Sequence, residues 1–164
     1  MDPGKTGELR LDDTGEVVGP ETLAADFAES KAAAKGKISY GVEFTEVEFK
    51  SCSLQGTKCA AVTLRFAGPR LTRIDLMLPL EGDEKGWANW TVAGETKRKR
   101  SHEEWAERVF GVKMELKPIE GILPFQPDWE YPRHAMMAWG EVASYYDGKG
   151  GFPYLCVYYG RSDL

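Results

Sequence analysis

An α+β fold, dominated by an antiparallel sheet of roughly six to eight strands with two short helices, follows from three features of the chain. Apolar residues alternate with polar ones over several consecutive segments, the period of a strand with one wet face. Short turns rich in Gly, Pro and Asp separate these segments, so neighbouring strands run antiparallel. Helical spacing of apolar residues shows in only two stretches. The sheet is expected to be curved or folded into a sandwich, and the 164 residues fit one domain spanning 1–164.

The elements follow in chain order. Glu8 to Leu11 and Glu16 to Val18 flank Asp12-Asp13-Thr14-Gly15, a turn between two short strands. Thr22 is the expected N-cap of a helix over Leu23–Ser30, with Leu23 and Phe27 one turn apart and Gly36 as the final stop. From Ile38 the period is two, through Tyr40, Val42 and Phe44, and then the phase slips to Val47 and Phe49. A β-bulge near Thr45-Glu46 would account for the slip. Ala60, Val62, Leu64 and Phe66 form the next alternating set, and Ile74, Leu76 and Leu78 the one after it. Ser101 and Glu104 read as a capping box opening the second helix, Ser101–Phe110, with Trp105, Val109 and Phe110 inward and Gly111 as the stop. Val112, Met114 and Leu116 alternate again, the proline-rich stretch from Pro118 to Pro132 crosses irregularly, and a hairpin turning at Asp147–Gly151 closes the chain. The expected core comprises Leu23, Phe27, Ile38, Val62, Leu64 and Ile74, together with Leu76, Trp105, Val109, Val142 and Val157.

Composition narrows the function classes. The net charge is −5, and the basic run Lys97-Arg98-Lys99-Arg100 contributes +4, so the remaining residues carry −9. Such a body repels nucleic acid and anionic membranes and favours a basic partner. The basic run precedes the expected cap at Ser101 and lacks interleaved aromatics, so it reads as an exposed loop. Three cysteines, Cys52, Cys59 and Cys156, form no CxxC pair; with polar residues at the start and no apolar run of about 20 residues, reduced thiols in the cytoplasm are expected.

Motifs for chemistry are sparse. His102 lies in the first turn of the expected second helix and reads as solvated, and no His or Cys spacing matches a zinc site. Cys156 sits mid-strand as a buried thiol, and the glycines from Gly148 to Gly151 are followed by a strand, whereas a phosphate loop needs a helix. No cofactor and no metal are therefore expected. What stands out is surface. Asp83 and Glu84 lie beside Trp87 and Trp90, and Asp128 and Glu130 alternate with Trp129 and Tyr131. Acids steer a basic partner, and large rings anchor the desolvated contact.

The final hairpin, Trp139-Gly140-Glu141-Val142-Ala143-Ser144-Tyr145-Tyr146-Asp147, then Gly150-Gly151 and Val157-Tyr158-Tyr159, resembles that of small bacterial immunity proteins encoded beside polymorphic or contact-dependent toxins. The opening layout, with Gly19-Pro20-Glu21-Thr22 leading into a helix containing Asp26-Phe27, is similar too. The resemblance implies a cytoplasmic acidic protein that neutralises a toxin by binding it, and it carries over no site residues. Against this stands a second class, a small enzyme or ligand-binding β-fold with a site near His134 and Glu141. A polar pocket enclosing His134 would favour that class.

Overall fold

The computed structural model describes residues 1–117 and 131–160, with the side chains of 84–86 also set aside. The chain opens with α1 (Pro3–Thr6), capped by Asp2, whose carboxylate accepts the Gly4 N–H. The short strands β1 (Leu9–Leu11) and β2 (Glu16–Val18) pair antiparallel around the Asp-Gly-type turn, as expected. The first predicted helix is two helices, α2 (Ala24–Ala28) and α3 (Lys31–Lys35). Ser30 divides them because its hydroxyl accepts the Ala33 N–H and starts a new N-terminus. Thr22 is not the cap; its hydroxyl accepts the Gly19 N–H instead.

The phase slip after Phe44 has a cause other than a bulge. β3 (Lys37–Tyr40) turns back at Gly41 and pairs antiparallel with β4 (Phe44–Leu54). β4 then pairs with β5 (Thr57–Ala67) from Phe44↔Ala67 to Leu54↔Thr57 in a constant register, without a bulge at Thr45-Glu46. The register shift falls instead between Arg65 and Phe66, where β5 meets β6 (Arg70–Met77). A 3₁₀ segment (Asp83–Asn89) leads to α4 (Val92–Phe110). β7 (Glu115–Leu116), β8 (Arg133–Met137), β9 (Gly140–Asp147) and β10 (Phe152–Tyr159) complete the chain.

Among the described residues the strands form one sheet of ten, larger than expected, in the order β2-β1-β4-β5-β6-β10-β9-β8-β7, with β3 also on β4. Every pairing is antiparallel. Four helices accompany it, rather than two, and no described helix is long and apolar enough to cross a membrane.

Register sorts the side chains onto two faces. Val47, Val62, Leu64, Ile74, Leu76 and Val142 lie on the helix side with Phe27 of α2 and Trp105 of α4, forming the core. Most of the expected core is buried there, but Leu23 and Ile38 are exposed at 38% and 40%, and Val109 is half-buried. Leu23 faces out because its backbone bridges Arg70 at the mouth of the β5–β6 turn. Ile38 does so because β3 has a neighbour on one side only.

The largest departure is α4. It begins at Thr91, whose hydroxyl accepts the Gly94 N–H, ten residues before the expected cap at Ser101. The basic run is therefore inside a helix. Arg98 and Lys99 are each 2% exposed, and His102, expected in solvent, is fully buried.

Candidate functional site

The face of the sheet turned away from α4 carries the chemistry. Thr63, Asp75 and Cys156 align in one row across β5, β6 and β10, which continues through Ala143 of β9 to His134 of β8. Arg65, Arg73, Tyr158, Glu141 and Met136 align in the next. This face is polar and aromatic, with Cys156, Ala143 and Glu141 buried on it and Thr63, Asp75, Arg73 and Tyr158 half-buried.

Two knots of interactions organise it. In the first, Arg73 Nε donates to Asp75 Oδ1 at 2.6 Å, and the Cys156 thiol donates to the same oxygen at 2.8 Å. The Arg73 guanidinium also lies over the Tyr158 ring at 5.2 Å. Burial, with Asp75 next to it, pushes the Cys156 thiol far above its ordinary value, so it is no nucleophile. Burial likewise pushes Tyr154 up to about 12.

The second knot contains both residues of the predicted alternative site. His134 Nδ1 meets Glu141 Oε2 at 2.8 Å, a diagonal pair across β8 and β9. Lys117 Nζ donates to the other carboxylate oxygen at 2.9 Å and to the Tyr145 hydroxyl at 2.8 Å. Burial alone would raise the Glu141 carboxyl, but the hydrogen bonds from His134 and Lys117 outweigh it and hold it below the ordinary value. Burial would lower Lys117, and its bonds to Tyr145 and Glu141 reverse the sign. Such a carboxylate orients an imidazole, as in the base of an acid–base pair. The Tyr145 and Tyr154 rings stack beside it, centroids 5.6 Å apart.

The predicted partner-binding residues divide. Trp87 is 64% exposed, the largest ring so placed among the described residues, and packs 5.1 Å from Phe152 and 6.2 Å from Trp90. Trp90 Nε1 donates to the Gly151 carbonyl at 2.6 Å, tying the 3₁₀ segment to the β9–β10 turn. Gly151 is required twice over: its φ is +75°, and a Cβ there would lie 2.7 Å from the Trp87 ring. Asp83 is not a free acid, since it caps the Leu80 N–H at 2.8 Å and pairs with Arg98. Tyr131 is half-buried. Glu84 has its side chain, and Asp128, Trp129 and Glu130 lie entirely, outside the described residues. Between Trp87 and the first knot runs a groove of about 420 Å³ lined by Arg73, Asp75, Asp147, Phe152 and Tyr154.

Sequence reasoning missed Arg73, Asp75, Tyr145, Tyr154 and Lys117. The signal for four of them was the parity of the strands; Lys117, one residue past β7, gave none. Comparison of the chain with protein-family models, curated proteins and solved structures finds no match.

Proposed function

We propose that the chain is a binding protein that neutralises a cognate bacterial toxin by direct contact, through Trp87 and the adjoining polar–aromatic face. Trp87 carries the reading: a large ring, 64% exposed, already fixed against Phe152 and the Gly151 turn. Anchors of this kind dominate interface energetics, and one held in place before binding loses little side-chain freedom. The neighbouring rings and Arg73 supply the residue types enriched in such contacts. The net charge of −5 supports a partner that is basic or has a basic mouth, steered at long range. The resemblance of the final hairpin to immunity proteins supports the toxin as that partner.

The His134–Glu141 contact favours a second reading, a ligand-binding or catalytic site in which Glu141 orients His134 for proton transfer. The groove beside Phe152 is lined from β5, β6, β9, β10 and the β9–β10 turn by residues other than His134 and Glu141.

One experiment tests the first reading. The product of the adjacent gene, the proposed toxin, is titrated against the wild type, Trp87→Ala and Glu141→Gln. Loss of a true anchor weakens binding by roughly 30-fold, about 2 kcal/mol, mainly through faster dissociation. Glu141→Gln, at the far end of the same face from Trp87, should weaken binding less than Trp87→Ala does. Equal binding by wild type and Trp87→Ala would contradict the proposal, and weaker binding by Glu141→Gln alone would move the toxin contact from Trp87 to the Glu141 end of the face.

A further inference from the structure

We infer that β3 is the contact through which two copies of this chain join their sheets, edge to edge, about a two-fold axis at Ser39. All four residues of β3 are exposed, and among the described residues only β4 pairs with it. The Gly41 N–H donates to the Phe44 carbonyl at 2.7 Å, which makes Tyr40↔Thr45 a non-hydrogen-bonded pair. By alternation the same holds for Ile38↔Val47, so the N–H and C=O groups of Ile38 and Tyr40 point away from β4. They form an open template for another strand.

The other edges are poorer templates. β7 has two residues, and β2 has three, with Glu16 turned to the Ala32 N–H of α3. β3 is also flanked by apolar surface: Tyr40 is 81% exposed, Val42 is fully exposed, and Leu23 and Phe44 are over a third exposed. Beneath Ile38 and Tyr40 lies an apolar groove of about 270 Å³ reaching Ala24, Ala28 and Val47. An exposed edge beside such a patch is a place where native proteins dock a chain.

A second copy is the occupant because the edge is complementary to itself. Lys35 and Lys37 stand at the start of the strand and Glu43 beyond its end. Antiparallel pairing about Ser39 brings the basic end of one copy to the acidic end of the other, whereas parallel pairing would align like charges. It also sets Ile38 against Tyr40 of the second copy, with four main-chain hydrogen bonds between them, and offers each groove an apolar side chain. The contact is isologous and closes on itself as a dimer.

Sedimentation equilibrium of the full chain over a range of concentrations tests this, with the double variant Ile38→Lys, Tyr40→Lys alongside. The expected result is a roughly twofold mass for wild type at high concentration and loss of the dimer in the variant. A wild type that stays monomeric throughout, or a dimer that survives both lysines, overturns the inference. Hydrogen exchange of the wild type provides a readout independent of how the variant folds. The amides of Ile38 and Tyr40 should slow by about tenfold or more between dilute and concentrated samples. Unchanged rates overturn it as well.

Discussion

His102 shows how one side chain reports its whole surroundings. Its Nε2 accepts the Leu78 N–H at 3.0 Å, in the interior beside Arg98 and Lys99. Burial, then those two cations, lowers its pKa from 6.5 to about 3, so the imidazole is neutral when folded. The unfolded chain binds a proton near 6.5 that the folded chain refuses, so stability falls as pH drops from 6.5 towards 3. Between pH 7 and pH 5 this single group removes about 2 kcal/mol, readable as a fall in urea midpoint. His102→Gln, which keeps an acceptor for Leu78 but cannot titrate there, should flatten the profile over that interval. Glu141 adds a separate loss at lower pH, because a carboxylate held below its ordinary 4.5 must be protonated to be released. None of this was legible at His102 itself. Its neighbours in sequence are charged, and charged neighbours read as a wet face.

The same misjudgement, enlarged, explains the helix that contains it. The buried side of α4 runs Glu95, Arg98, His102, Trp105, a helical spacing occupied mostly by polar residues. A search for apolar periodicity finds only its last turns, from Trp105 to Phe110. Charges are tolerated inside because each is partnered, and the partners bind one element to another. Arg98 meets Glu95 at 3.1 Å, donates to the Leu78 carbonyl at 3.2 Å, and pairs with Asp83 of the 3₁₀ segment. Lys99 Nζ reaches Glu103 at 2.6 Å, and Glu103 accepts from Ser144 of β9, also at 2.6 Å. Arg98→Met would leave Glu95 buried without its counter-ion, at a cost of roughly 3–5 kcal/mol in denaturant unfolding. Lys97→Ala, one residue away but exposed, should stay within about 0.5 kcal/mol. Equal effects would mean that the buried network does not hold α4 to the sheet end. The turns, by contrast, were readable: Gly111 ends α4 with φ +66°, and the Asp12–Gly15 turn joins β1 to β2 as expected.

Among the described residues the helices lie on one face of the sheet, and the other carries polar and aromatic side chains. Alternation announced that each strand has two faces, and it identified most of the core. It could not announce strand order, so it could not bring Arg73 beside Tyr158 or Asp75 beside Cys156, residues more than eighty positions apart. His134 and Glu141 are the exception, since seven residues and one hairpin join them. The 3₁₀ segment and the β9–β10 turn converge on Trp87 only through long-range contacts, and there the proposed interface sits. Its most direct test is hydrogen exchange of the chain alone and in the presence of the product of the adjacent gene, the proposed partner. Protection should gather on the 3₁₀ segment, the Asp147–Gly151 turn and the adjoining ends of β6 and β10, and Trp87→Ala should require a roughly 30-fold higher partner concentration to show it. Protection confined to α4 or β3, with the Trp87 region exchanging as freely as before, would contradict the proposal.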